Sequence, residues 1–267
     1  MSAGSTDRAH LIFELQDQLF GIPYERLVQI IDSPKVTALP SEDDSVRGII
    51  DFLGETLVLY DFRKILGSIT LEEEISNLIR TLADRRQDHV NWLTKLKAAV
   101  NAGQEITVQT DPHKCAFGKW YDSFKTKSLA LTTFLARFDE PHKTIHGLAT
   151  RAQALMKTGQ AEEAKAIIRA AEHREFLQLM DLFGEAETRI RATSFEYAIV
   201  VERDGGKLAL TVDDVRAFES FSHYSDHVPP LLKKMGGGLI QGIGQRDNEG
   251  TLEDVLVMDM DRLLATA

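Results

Sequence analysis

The chain has 267 residues, 43% of them hydrophobic and 27% charged, with a formal net charge of -10 and a pI near 5.3. That is enough apolar material for one large domain or two ordinary ones, and too much for wholesale disorder. The acidic balance speaks against nucleic acid or an anionic membrane as the main partner, and a single cysteine excludes an intramolecular disulfide framework.

The stretch Met1–Asp7 is small and polar, without the apolar core of a signal peptide. Runs such as Leu57–Tyr60 and Tyr197–Val201 fall far short of the roughly 20 residues a membrane helix needs. The expectation is a soluble, cytoplasmic chain with no membrane insertion.

Residues 10–67 read as β structure, with short apolar runs at Leu11–Leu15, Val46–Phe52 and Leu57–Tyr60, and turn signals at Phe20-Gly21 and Leu53-Gly54. From about Ser68 to Thr193 glycine and proline thin out and the period becomes helical. The first helix of this block carries Ile75, Leu78, Ile79, Leu82, Leu93, Leu96 and Val100 along one face, and Glu72-Glu73-Glu74 suits its first turn. A second carries Leu131, Phe134, Leu135 and Phe138 and continues with Ile145, Ala149, Ala152 and Met156. Pro141 either kinks it or sits in the first turn of a new helix capped by Asp139. A last helix runs from about Gln160 to Arg191, with Ile167, Ile168, Ala171, Met180 and Phe183 inward. Three long helices and a short element near Cys115–Phe124 result.

Residues 194–267 return to β structure, with Phe195–Val201, Leu208–Val212, Leu239–Ile243 and Val255–Met258. The two β blocks look like copies of one unit. Leu57–Leu66 lines up with Val255–Leu264 without a gap, a Gly-Ile pair stands upstream of each (Gly48-Ile49 and Gly242-Ile243), and Ile22–Leu27 faces Leu210–Val215. Two small β-barrels packed together are the simplest consequence. Gly236-Gly237-Gly238 lacks the lysine and helix of a phosphate cradle and reads as a turn.

Chemistry concentrates in the helical block. His89 lies on the inner stripe of the first helix, and His142 and His146, four apart, share one helical face that Phe138 carries inward. Cys115 opens the run Cys115-Ala116-Phe117-Gly118-Lys119-Trp120-Tyr121. Any one inward histidine is more often a hydrogen-bonded core residue, and a lone cysteine is usually inert. Together these aim three imidazoles and a thiol into an apolar interior, where unpaired each would cost a few kcal/mol. A zinc ion (Zn2+) resolves this with a closed tetrahedral shell from His89, Cys115, His142 and His146, and the N/S mixture without carboxylate favours zinc over copper or iron. His113 is a competing donor, read as loop after Asp111-Pro112. His10, His173, His223 and His227 read as structural or solvated.

At these residues the sequence resembles the chemoreceptor zinc-binding (CZB) domain, through His89 with Trp92, the Cys-x-Phe-Gly-Lys-Trp-Tyr run and the His142/His146 pair, over roughly Leu71 to Arg191. That resemblance implies a zinc-binding four-helix bundle with a three-His, one-Cys site. The β blocks resemble the two halves of a CheW-like adaptor. Phe13-Glu14-Leu15, Gly21-Ile22-Pro23, Leu39-Pro40, Val46–Ile50 and Leu59–Arg63 carry the first half, Leu210–Val215 and Leu256–Asp259 the second. The implied architecture is an α+β multidomain chain, a CheW-like pair of SH3-like β-barrels interrupted by the bundle. Its parts are a first barrel half over 10–67, a zinc-binding insertion over 68–193 and a second barrel half over 194–267. The implied partners are a CheA-type histidine kinase and methyl-accepting chemoreceptors, with a homodimer through the helical insert as a further pairing. Adaptors of this type carry Asn-x-Arg-Gly at a turn that here reads Asp51-Phe52-Leu53-Gly54, so Leu53 stands where an arginine contacts the partners.

The implied function is a non-catalytic signalling adaptor whose zinc site senses zinc or a hypochlorous-acid-type oxidant. Oxidising the Cys115 sulfur would loosen the bundle and so alter the barrels it joins. Two other readings stand beside it. One is a zinc hydrolase with an open site of His89, His142 and His146 and a base in Asp139 or Glu140; the other is a constitutive scaffold with purely structural zinc.

Overall fold

The computed structural model describes residues 8–203 and 206–266. The polar stretch Met1–Asp7 and the last residue of the second β block, Ala267, lie outside them. In chain order the elements are β1 (His10–Leu15), β2 (Gln18–Pro23), β3 (Leu27–Asp32), β4 (Val46–Phe52), β5 (Glu55–Tyr60), α1 (Phe62–Ile65) and α2 (Leu71–Ala102). They continue with α3 (Ala116–Ser123), α4 (Leu129–Ala136), α5 (Asp139–Lys157), α6 (Ala161–Ala171) and α7 (Leu177–Thr193). Then come β6 (Tyr197–Arg203), β7 (Gly206–Val212), β8 (Asp214–Glu219), β9 (His223–Ser225), β10 (Ile240–Asn248), β11 (Thr251–Met258) and α8 (Met260–Thr266). Two compact units result, one of the residues up to Leu71 together with those from Phe195 onward, the other Glu72–Ser194.

In the β unit both sheets mix strands of the two halves. The six-stranded sheet runs β8-β1-β2-β11-β10-β9 and the five-stranded sheet β3-β6-β7-β5-β4. Exchanging β1 for β6, β2 for β7, β3 for β8, β4 for β10 and β5 for β11 turns β8-β1-β2-β11-β10 into the order of the other sheet, with β9 the one extra edge strand. The registers agree as well. Val257 faces Gly21 where Leu59 faces Ala209, and β4 and β10 each slip register just before Gly48 and Gly242. The duplication is therefore real in topology, but the assignment of one barrel to each half is corrected: β1 and β2 join β8–β11 of the second half, and β6 and β7 join β3–β5 of the first. The reason lies in connectivity. Hairpins join neighbours antiparallel, whereas the seams β2–β11 and β5–β7 are parallel and must draw partners from far along the chain.

Gly21, read as a turn, lies inside β2 at one of these seams, where a Cβ would sit 3.1 Å from Val255. The turn itself is Gln16-Asp17, both with positive φ. The hairpin tips are equivalent two-residue turns. Leu53-Gly54 and Glu249-Gly250 all have positive φ, and the carboxylates of Asp51 and Asp247 accept the N–H of Gly54 and Gly250. Phe13, Phe20 and Phe62 meet in the core with ring centroids 5.6–5.8 Å apart.

In the helical unit α2 buries Ile75, Leu82, His89 and Leu96 at intervals of seven, so a histidine takes a position the stripe reserves for an apolar side chain. The long second helix expected here is two. α4, capped by the Ser128 side chain, ends at Ala136, and α5 starts afresh with Pro141 in its first turn. Asp139 is not its cap. That position is Phe138, without a side-chain bond, and the Asp139 carboxylate pairs with Lys143 one turn on at 2.7 Å. The last helix is interrupted by a π-helical turn at Glu172–Phe176. Upstream it buries Ala164, Ile168 and Ala171; downstream it buries Leu179, Met180, Leu182, Phe183, Ala186 and Ile190, and the turn adds one residue to the helical path between them.

Candidate metal centre

Three elements converge. α2 supplies His89, α5 supplies His142 and His146, and Cys115 stands at the N-cap of α3. One ligand atom from each of the four lies within 4.8 Å of all the others. His146 is wholly buried, His89 and His142 nearly so, and Cys115 is half-buried. Cys115 Sγ is 3.2 Å from His142 Nε2, and the centroids of the three imidazoles are 4.7–5.8 Å apart. Metal bonds of about 2.0–2.3 Å place tetrahedral ligand atoms roughly 3.3–3.7 Å from one another. The Cys115–His142 pair, at 3.2 Å, is close to that spacing, and the whole group stays within 4.8 Å.

The hydrogen bonds fix which nitrogen faces inward. His89 Nδ1 lies 2.7 Å from the Arg85 carbonyl oxygen and His146 Nδ1 lies 2.8 Å from that of Gln109. A carbonyl only accepts, so each Nδ1 carries the proton and each Nε2 presents a lone pair. Both Nε2 atoms are buried with no hydrogen-bond partner among the described residues. Two orphaned acceptors aimed at a thiol and a third imidazole are what a cation with N/S preference would satisfy, so the residues present fit zinc.

Electrostatics agree with that fit. Burial depresses His89 to about 4, and burial together with the neighbouring imidazoles depresses His142 to about 3; His146 is lowered too, mainly by burial. All three rings are neutral near pH 7, the ligating form. Burial raises the Cys115 thiol, against the pull of the Gly118 and Phe117 N–H groups. It points 3.3 Å from the Pro112 carbonyl while accepting the Gly118 N–H at 3.1 Å. A side chain at 118 would run into that same carbonyl, which is why the motif needs glycine there. Phe117, Phe183 and Trp92 line the rings at centroid distances of 4.9–5.8 Å and make the surroundings apolar.

All four expected residues are thus brought together. His113 is not among them; it is exposed and pairs with Asp122 at 2.9 Å. The group includes no carboxylate; of the two candidate hydrolase bases, Asp139 is held by Lys143 and Glu140 is exposed. Sequence reasoning missed the carbonyls of Arg85, Gln109 and Pro112, for which no side-chain signal exists.

Residues 89–153 match the family model of the chemoreceptor zinc-binding domain, and residues 9–85 match that of the CheW-like domain. No curated protein matches. Among solved structures the chain is similar to the scaffolding protein TtCheW from Thermoanaerobacter tengcongensis, with 11% identity and a TM-score of 0.42 over 95% of this chain and 89% of that one. A CheW-like segment and a chemoreceptor zinc-binding segment in one chain support a chemotaxis signalling adaptor, and the His/Cys group is compatible with zinc. Both matched families are signalling or scaffold domains. Among the described residues no helix is long and apolar enough to cross a membrane.

Proposed function

We propose that this chain is a non-catalytic chemotaxis adaptor of the cytoplasm whose helical segment, an insertion over 68–193, holds one zinc ion through His89, Cys115, His142 and His146. The observation that carries the reading is the pair of buried, partnerless Nε2 atoms of His89 and His146 facing Cys115 and His142. Zinc, when bound, supplies a cross-link between segments far apart in sequence and keeps the Cys115 sulfur as a thiolate. The chain's own part is to keep three imidazoles neutral, to hold His89 and His146 in one tautomer and to wall the site with aromatic rings.

The β unit engages a CheA-type kinase or a chemoreceptor, as a CheW-like segment implies. Its hairpin tip presents Leu53, 86% exposed, so the contact it makes is apolar rather than an ion pair. The signal is zinc itself or an oxidant. Hypochlorous acid would transfer oxygen to the Cys115 thiolate, giving sulfenic acid and chloride, and the site would lose its only sulfur ligand. A hydrolase is disfavoured because the group has no carboxylate base.

Zinc content of protein purified without added metal tests the reading. Wild type should carry about one zinc per chain, with the metal lost or weakened in both His142→Ala and Cys115→Ala. Metal-free wild type, or full zinc in Cys115→Ala, would overturn it.

A further inference from the structure

We infer that Trp92 is a positioning residue for the metal centre, acting on His146 through the main-chain carbonyl of Gln109. The inference rests on the zinc reading above.

The three imidazoles are not held alike. His89 donates Nδ1–H to Arg85, four residues back in its own helix, so its acceptor is as rigid as α2 itself. His146 donates to Gln109, which lies in the irregular segment between α2 and α3 and has no helix to hold its peptide in place. Something outside that segment must fix the carbonyl. Trp92 does so: its indole Nε1–H donates to the same Gln109 oxygen at 2.8 Å. The oxygen's two lone pairs therefore serve two donors, one from α2 and one from α5.

Trp92 also touches the ring it positions. Its centroid lies 5.2 Å from that of His146, and the indole is nearly buried. The side chain thus fixes the imidazole from two directions, by packing against it and by pinning its acceptor. A second tether, from Gln153 Nε2 to the Ile106 carbonyl at 2.8 Å, holds the same segment three residues earlier but bears on no ligand.

Coordination at Nε2 makes the opposite N–H of an imidazole a stronger donor. When His146 takes a metal, its bond to Gln109 tightens and the Trp92 N–H must share an oxygen already drawn toward the ring. Metal occupancy is thereby registered at the indole, and loss of the indole N–H is registered as weaker metal binding. Outer partners of metal-bound histidines typically account for about 10- to 100-fold in affinity. Because the lost donor is one step removed from the ligand, the lower end of that range is expected.

The test uses the full chain with zinc as the probe, in wild type, Trp92→Phe and Trp120→Phe. Phenylalanine keeps an aromatic face on His146 and removes only the N–H. Trp120, the other of the two tryptophans, identifies the second indole resonance. Zinc should shift the Trp92 indole N–H signal in wild type. Trp92→Phe should weaken zinc about tenfold in chelator competition, with the metal-free protein unfolding as wild type does. Wild-type affinity in Trp92→Phe, or an indole signal indifferent to zinc, would overturn the inference and leave the zinc reading intact. An affinity loss matched by an equal loss of metal-free stability would overturn it too, since packing alone would then account for the effect. A wild type that takes up no zinc would sink both.

Discussion

Cys115 Sγ accepts the backbone N–H of Gly118 at 3.1 Å, so one sulfur atom both belongs to the metal group and caps the first turn of α3. Glycine at 118 lets the turn close against Pro112, whose carbonyl oxygen occupies the space a Cβ would need.

Two effects oppose each other in Gly118→Ala. Alanine favours a helix interior by about 0.5–1 kcal/mol. The added methyl meets backbone rather than a movable side chain, and overpacking of that kind costs about 1–3 kcal/mol. Sterics should win. The variant is expected to unfold at lower temperature and to bind zinc at least tenfold more weakly. A midpoint at or above wild type with unchanged affinity would show that Pro112 yields easily.

The metal-free protein should be acid-labile in a defined window. His89 and His142 are depressed to about 4 and about 3, with burial the largest cause, from an ordinary value near 6.5. Below about pH 6.5 the unfolded chain therefore binds protons that the folded chain refuses, and stability falls with pH until the folded values are reached. Thermal midpoints of chelator-treated protein should drop between pH 6.5 and about 3. The drop should be smaller in His89→Leu, which removes the most depressed proton acceptor on α2. A flat profile across that interval would mean that the rings are reached by water.

The site was legible because its four side chains are chemically conspicuous and three of them stand on helical periodicity. The duplicated β unit was legible from Gly48/Gly242 and from the aspartates that follow β5 and β11, since Asp61 and Asp259 each cap a short helix through their side chains. Exchange of strands between the halves was not, because alternation specifies a strand's faces but not which distant strand runs beside it. The break between α4 and α5 falls at Arg137-Phe138, with neither glycine nor proline, and Pro141 marks it only after the fact. Gly21 misled in the opposite sense, being small for close approach at a seam rather than for a turn.

The π turn carries its own prediction. Glu172–Phe176 contains one residue more than an α-helical path between Ala171 and Leu179 requires, and both flanks are packed in register. Deleting exposed His173 should convert the turn to α-helix without rotating Leu179 or Phe183, leaving the thermal midpoint near or above wild type. Deleting exposed Glu187 inside α7 should instead turn every later residue by about 100° and take Ile190 out of the core. Equal destabilisation by the two deletions would mean that the π geometry is needed for itself.

Arg63 and Asp213 test whether the two halves of the β unit depend on each other. Arg63, nearly buried on α1, donates Nε and Nη2 to the two carboxylate oxygens of Asp213 at 2.9 and 2.7 Å; Asp213 follows β7 and also accepts the Gln16 N–H at 2.8 Å. Removing one member of such a pair leaves a charge without its partner in a poorly solvated place, which costs about 3 kcal/mol. Arg63→Met should lower the unfolding free energy by about that much in denaturant titrations. Arg63→Met with Asp213→Asn should recover a good part of it, because asparagine keeps an acceptor for Gln16 and removes the stranded charge. If the double variant is as unstable as the sum of the singles, the two residues are uncoupled, and the strand pairings β1–β8, β2–β11, β3–β6 and β5–β7 hold the halves together without this ion pair.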